Sequence, residues 1–387
     1  MSKYGIVVAA YNRVDSLKRL LSSLNNAFYE ENVDLIISID NSGIEEVFEY
    51  ANKFEWKFGK KNVILAKERM GLKNHILKCG NYINKFKFDA IILLEDDLYV
   101  SPGFFNYSKQ AIEFYKNDEN IAGISLYQHL WNINADRPFQ PILSSYDVFF
   151  MQYAQSWGQI WTSKQWNSFY RWYKNEEYKS LDCDFVPENI LNWPESSWLK
   201  YHIQYCISQN KFFVYPYCAL SSNFADAGTH YSDRTNKMQI PLLVDSFKKY
   251  NFIRFDKSEV IYDAYFENIK LSEKLGLKND DIVIDLYGMR KKHKKKYLLT
   301  MKNENYKIIK KYGLQMRPHE MNIIFNIEGD NIKLYDTTEF DENSSLKNDV
   351  SIDIWNYDSR GTILCKQKII KIISNEIKVK LKSLKKK

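Results

Sequence analysis

No CxxC pair occurs among the five cysteines, Cys79, Cys183, Cys206, Cys218 and Cys365. An odd number at irregular spacing excludes a zinc ribbon or a disulfide framework and points to reduced thiols in a cytosolic protein. No apolar run approaches the roughly 20 residues that span a bilayer. The opening stretch, MSKYGIVVAAYNR, has a short apolar run but no cleavage-like region, so a first strand is expected there and not a signal peptide. No glycine-rich loop follows that strand, where the chain reads Ala10-Tyr11-Asn12-Arg13. This argues against enzymes that cradle phosphates on a glycine-rich turn, the nucleotidyltransferases among them. There is no internal repeat, and only the lysine-rich tail is low in complexity.

What is present is a large, globular composition. The 387 residues are 45% hydrophobic and 16% aromatic, enough for more than one ordinary domain. Tyrosine (28) and phenylalanine (23) are abundant, and tyrosines suit a polar, sugar-sized cleft. The net charge of +7 is concentrated late in the chain. One cluster runs from Arg290 to Lys296, the other from Lys378 to Lys387. Such clusters attract anionic lipid headgroups, or form a solvated face and a frayed tail. No nucleic-acid-binding module accompanies them, so no nucleic-acid partner is expected.

The most informative stretch is DAIILLEDDLYVSPGFF, Asp89 to Phe105. An apolar run, Ala90 to Leu94, ends abruptly in Glu95-Asp96-Asp97. The run suits a strand buried on both faces of a parallel sheet. Three adjacent carboxylates would repel one another in a dry core. At the carboxyl edge of an open α/β sheet they make a hard oxygen site for Mn2+ or Mg2+, which could neutralise a diphosphate. The alternative is a solvated loop.

Other strand ends repeat the pattern. Ile6 to Ala10 runs into Tyr11-Asn12-Arg13, and an amphipathic helix opens near Asp15-Ser16. Leu35 to Ile39 runs into Asp40, and Val63 to Leu65 into Arg69 to Asn74. With the intervening helices this alternation predicts a doubly wound, mostly parallel sheet flanked by helices. Further strands are expected at Ile121–Leu126 and Phe212–Pro216, with helices at Phe104–Tyr115 and Trp166–Tyr173. Trp193-Pro194-Glu195-Ser196-Ser197-Trp198 reads as a helix start with an early proline. Beyond about residue 255 the character changes, and a smaller α+β region is expected over 256–387. There Met321–Ile327 and Ile332–Tyr335 flank Glu328-Gly329-Asp330-Asn331 as a hairpin signal, and Ile352–Trp355 suits a strand.

AAYNR, Asp40 and LLEDDLYVSPGFF together resemble the nucleotide-sugar-dependent glycosyltransferases of the GT-A (Rossmann-like) fold. The similarity is to the N-acetylglucosaminyltransferase I type and to bacterial polysaccharide (GT2-like) glycosyltransferases, over about residues 4–235. The resemblance implies a GT-A domain over 1–255 and transfer of a sugar from a nucleotide-sugar donor, a UDP-sugar being the commonest. The acceptor would be a saccharide or lipid-linked saccharide, in bacterial surface polysaccharide synthesis. It places the protein in the cytoplasm, peripheral to the inner face of an anionic membrane. Ala10, Tyr11 and Arg13 would line the nucleotide pocket, Asp40 would bind the base, and Asp96 would lie near the ribose or donor sugar. Asp97 would ligate Mn2+, with Glu95 beside it. Arg69 and Asn74 belong to the same ligand edge. Glu195 would be the base of an inverting transfer, although the related W-D-x-x-W stretch carries Asp and is one residue shorter. Asp226 is the rival base. His230 lies in a stretch similar to an N-x-G…G-T-H closing loop, with Ala225 where glycine is usual, and could contact phosphate or metal.

Each residue also has a plainer role open to it. Asp40 can cap the following helix, Arg13 can be an exposed helix-start residue, and Glu195 can simply favour a helix N-terminus. A sugar-phosphate nucleotidyltransferase, or a non-catalytic carbohydrate-binding protein on the same fold, are the competing functions.

Overall fold

The computed structural model describes residues 3–224, 226, 238–291, 294–341, 354, 357–360, 370, 373–374 and 377. The chain forms two compact units. The first comprises Met1–Asn134, Phe139–Lys270 and Met289–Lys292; the second comprises Ala135–Pro138, Leu271–Gly288 and His293–Lys387.

The first half of the first unit alternates strictly. Its elements are β1 (Tyr4–Ala10), α1 (Val14–Asn25), β2 (Asp34–Ile39), α2 (Glu45–Lys53), β3 (Lys61–Leu65), α3 (Leu72–Lys85) and β4 (Ala90–Glu95). A short β5 (Leu98–Val100), α4 (Phe104–Tyr115) and β6 (Ile121–Ser125) follow. After the two-residue strands β7 (Trp131–Asn132) and β8 (Arg137–Pro138) come β9 (Val148–Met151), β10 (Gln159–Thr162) and α5 (Ser163–Lys174). Then come α6 (Glu188–Leu191), α7 (Trp198–Ser208), β11 (Phe212–Pro216), β12 (Ser221–Asn223) and β13 (Ile261–Tyr262).

These strands build a nine-stranded sheet in the order β13-β9-β11-β6-β10-β4-β1-β2-β3. β3, β2, β1 and β4 run parallel, and β10 lies antiparallel between β4 and β6. All seven residues of β1 are buried, as a strand covered on both faces requires. Ile6, Val8 and Ala10 share a core with Leu17, Leu20, Leu21 and Leu24 of α1. On the opposite face α3 packs on β1 and β4. His75 of α3 bonds Ser38 of β2 there at 2.9 Å. Burial lowers that histidine to about 4, so it is neutral in the core. α3 can pass over α5 because residue 80 is glycine: a Cβ there would lie 2.2 Å from the Trp166 ring.

The second unit has α8 (Leu271–Lys274), β14 (Ile282–Ile284), β15 (Tyr297–Thr300), β16 (Tyr306–Tyr312), α9 (Glu320–Ile324) and β17 (Ile332–Phe340). Its sheet runs β14-β15-β17-β16 over a core that includes Leu271, Ile284, Leu299, Tyr312 and Leu334. The expected hairpin around Glu328 to Asn331 is not formed. Residues 320–324 are helical, and β17 pairs with β16 and β15. A short apolar run such as Met321–Ile327 is compatible with either state, and Asn322 settles it. Its side chain accepts from the N–H of Met316 and donates to the carbonyls of Met316 and His319, closing a tight turn. The strand expected at Ile352–Trp355 falls largely outside the described residues, and Ile354 is helical.

Candidate active site

The carboxyl edge of the parallel strands gathers three loops around the end of β1. The N–H of Asp40 donates to the carbonyl of Ala10, and that of Asp96 to the carbonyl of Ala9. Strand register alone therefore sets the two acids on either side of Ala10.

Arg13 then crosses to the β4 side. Its Nη2 donates to Asp96 Oδ1, and its Nη1 lies 3.1 Å from Asp97 Oδ2. Asp96 also accepts from the N–H of Tyr11 at 3.3 Å. The fork of one guanidinium thus spans two neighbouring carboxylates. Burial would lower the pKa of Arg13, but the charges of Asp96 and Asp97 outweigh it and the net shift is upward. Asp96 is 3% exposed. Burial pushes its carboxyl up to about 6 against the pull of Arg13. Glu95 is pushed up to about 8 by burial first and then by the charges of Asp97 and Asp96. Its carboxyl is hydrogen-bonded by the Trp198 side chain at the start of α7. Asp97 differs from both: its Oδ1 is buried with no hydrogen-bond partner among the described residues.

Asp40, also 3% exposed, organises the β2 side. Its Oδ1 accepts from the N–H of Asn41 at 3.0 Å and of Met70 at 2.8 Å, and its Oδ2 from the N–H of Gly71 at 3.0 Å. It thereby fastens the loop after β3 and the start of α3. Gly71, the residue before that helix, has φ of 76°, a conformation glycine adopts without steric cost. Within this loop the Arg69 guanidinium lies 5.4 Å from the centre of the Tyr11 ring. Asn74 donates to the carbonyl of Met70 at 3.1 Å, so its amide serves the loop.

α7 begins at Trp198, later than the sequence suggests, with Ser197 as its N-cap residue. Pro194 is outside the helix and accepts from the N–H of Ser197 in a turn. That turn carries Glu195, whose side chain is 76% exposed. The first turn of α7 reaches back to it: Lys200 donates to Oε1 at 3.1 Å, and the Tyr201 hydroxyl donates to Oε2. The Tyr201 bond, and then that from Lys200, lower the pKa of Glu195. Lys73 of α3 lies 4.9 Å from the Tyr201 ring centre. Trp198 on Glu95 and Tyr201 on Glu195 make α7 the link between the acidic edge and the proposed base.

Asp226 reaches the edge from the other side. β12 pairs antiparallel with β5, and the ring centre of Phe224 just after it lies 3.8 Å from the Arg19 guanidinium of α1. Asp226 accepts from Ser16 Oγ at 2.8 Å and from Arg19. Burial would raise its pKa, but these two donors lower it overall. His230 lies outside the described residues. Ser16, Arg19, Lys200 and Tyr201 are not marked out by the sequence. The one signal available for Ser16 and Arg19 was their i, i+3 spacing on α1, which puts them on one face.

Among the described residues, no group of three histidine, cysteine, aspartate or glutamate side chains is arranged to hold a metal. Asp97 Oδ1, a buried and unpartnered hard oxygen, is nonetheless a fitting donor for a divalent cation that takes its other ligands from a diphosphate and water. The basic cluster from Arg290 is largely used within the fold. Arg290 pairs with Asp263, Lys291 with Glu188 at 2.8 Å, and Lys296 with Asp336 at 3.8 Å. Lys295 donates to the carbonyls of Asn279 and Ile282.

A mostly parallel central sheet flanked by helices, with acids at the end of β4, is the architecture of the GT-A fold, and a smaller α+β unit accompanies it. Residues 5–179 match the family model described as Glycosyl transferase family 2. Similar solved structures include residues 1–349 of TarS from S. aureus in complex with UDP, at 13% identity and a TM-score of 0.37. The match covers 57% of this chain and 59% of that one. Another is the mannosyltransferase PcManGT from Pyrobaculum calidifontis in complex with GDP-Man and Mn2+, at 10% identity and a TM-score of 0.31. That match covers 42% of this chain and 45% of the other. The chain thus spans well under two thirds of the structures it resembles.

Proposed function

We propose that the protein transfers a sugar from a nucleotide-sugar, a UDP-sugar, to a hydroxyl of a saccharide or lipid-linked saccharide in bacterial surface polysaccharide synthesis, with inversion and with a divalent cation. The observation that carries this is Asp97: a buried carboxylate oxygen without a partner, at the carboxyl edge, beside a guanidinium suited to phosphate. Tyr11 and the Asp40-fastened loop border the nucleotide pocket. Asp97 would hold Mn2+ or Mg2+, which when bound offsets the charge that develops on the leaving diphosphate. Arg13 adds a second positive charge on that side. Glu195 takes the proton of the acceptor hydroxyl as its oxygen bonds to the sugar C1 and the C1–phosphate oxygen bond breaks. The proton ends on Glu195, and the electron pair leaves with the nucleoside diphosphate. Each acid is held by two donors, but the Glu195 side chain is 76% exposed against 15% for Asp226, so Glu195 is the better placed to meet an acceptor hydroxyl. The test is thermal stability against a panel of nucleoside diphosphates with and without Mn2+. A ligand at about 100 times its Kd adds about 2.7 kcal/mol. A Mn2+-dependent rise with UDP supports the reading; no rise with any nucleotide overturns it.

The membrane part of the proposal rests on the tail. No helix among the described residues is long and apolar enough to cross a membrane. Ile370, Ile373 and Ile377 are helical and exposed, at 67%, 53% and 53%, with spacings of three and four. The run from Lys378 to Lys387 that follows them is strongly basic. An apolar stripe beside lysines suits the surface of an anionic bilayer. The full chain is expected to sediment with phosphatidylglycerol vesicles and not with phosphatidylcholine vesicles, and to lose binding when these three isoleucines become serine. Equal sedimentation with both lipids would remove this part of the proposal.

A further inference from the structure

We propose that Arg13 and a divalent cation compete for Asp97, and that Arg13 turns to the donor's diphosphate as the cation takes Asp97. Cation and nucleotide then enter the site as a coupled pair. The inference rests on the reading above, in which the donor is held through a cation at Asp97.

Its basis is the asymmetry of one fork. Asp96 is the more deeply buried acid, its side chain 4% exposed, and both its oxygens are engaged, one by Arg13 Nη2 and the other by the N–H of Tyr11. Asp97 is more accessible, its side chain 14% exposed, and the Arg13 contact to it is longer, at 3.1 Å. It also has a second oxygen with no hydrogen-bond partner among the described residues. Asp97 is therefore the carboxylate that can be handed over. A cation on Asp97 Oδ1 would sit within a few ångströms of the guanidinium, and the two positive charges repel. Guanidinium forks fit phosphate as well as carboxylate, so a diphosphate arriving with the cation offers Arg13 a replacement partner. Arg13 can make that move. It precedes α1 on the loop after β1, and its side chain is 27% exposed. The exchange is a shift of ionic partners and involves no covalent step.

The consequence is readable without turnover. Free Mn2+ is followed by its electron paramagnetic resonance signal during titration of the full-length protein, first without nucleotide and then with UDP. Arg13→Gln removes the competitor, so Mn2+ alone should bind about tenfold more tightly than to the wild type. With saturating Mn2+, UDP should bind the same variant about tenfold more weakly, because the guanidinium no longer meets the diphosphate. Arg13→Lys keeps one charge but cannot span two carboxylates, and should fall between. It also keeps a counter-charge for Asp96 should the glutamine variant fold poorly. Unchanged or weaker Mn2+ binding in both variants overturns the competition while leaving the donor site standing. If neither the wild type nor the variants bind Mn2+, with or without UDP, the cation reading itself fails and this inference with it.

Discussion

Asp97→Asn is expected to lower kcat/KM by about 10³-fold and to abolish the Mn2+-dependent thermal shift, with little change in ligand-free Tm. The size follows from the charge. A cation at the leaving group is worth several kcal/mol of transition-state stabilisation, and each 1.4 kcal/mol is tenfold in rate. An amide keeps the shape but is a poor ligand for a hard divalent ion. The fold should hold because the structural duties of residue 97 are borne by other atoms. Its carbonyl accepts from the N–H of Phe224, and an amide oxygen can still accept from Arg13 Nη1. Asp96→Asn gives the contrast. That side chain is 4% exposed and carries both the main Arg13 contact and the Tyr11 N–H. An amide has one acceptor oxygen where Asp96 uses two, so either Arg13 or the N–H of Tyr11 is left facing an NH2 in a buried place, and Tm should fall along with activity. Full activity of Asp97→Asn without metal would sink the metal-dependent mechanism. Equal loss of Tm in both variants would make residue 97 a structural acid.

The acidic edge was legible because local rules converge on it. A run buried on both faces, Ala90 to Leu94, that ends abruptly in three acids is expected to place them at a strand end, and β4 ends at Glu95. β1, β2 and α4 were legible for the same reason, since their burial is written in unbroken apolar runs or helical spacing. What could not be read was pairing across long separations. The antiparallel β10 between β4 and β6 depends on partners on strands elsewhere in the chain. Arg13 and Asp96 are 83 residues apart, and Ser16 and Asp226 are 210 apart. No periodicity records such contacts. α7 starts late because Pro194 and Ser197 close a turn instead of a helical first turn, which composition alone does not distinguish. β16 was missed because YKIIKKY is half exposed and lysine-rich, a pattern typical of an edge strand.

Glu195→Gln is the second large effect. Loss of a positioned base should lower kcat by about 10²–10⁴-fold while leaving the donor KM near its wild-type value. Tyr201→Phe separates chemistry from mere scaffolding. In the wild type the Tyr201 and Lys200 bonds favour the ionised form of Glu195 and hold its pKa below the ordinary carboxylate value. A base must be ionised to accept a proton. The acidic limb of the kcat profile should therefore lie below the usual glutamate range, with activity lost only as pH falls through that lowered pKa. Removing the Tyr201 hydroxyl deletes the larger of the two stabilising bonds, so the pKa rises and the limb moves to higher pH. At neutral pH the phenylalanine variant should lose little, because Glu195 is still ionised there. In acid it should fall off earlier than the wild type. Asp226 supplies the opposite control. It is held low by Arg19 and Ser16, which Tyr201 does not touch, so a limb set by Asp226 would not move in Tyr201→Phe. A limb that stays in place, or a Glu195→Gln enzyme with near wild-type kcat, would transfer the role of base to Asp226. In that case Arg19→Gln, and not Tyr201→Phe, should shift the profile upward.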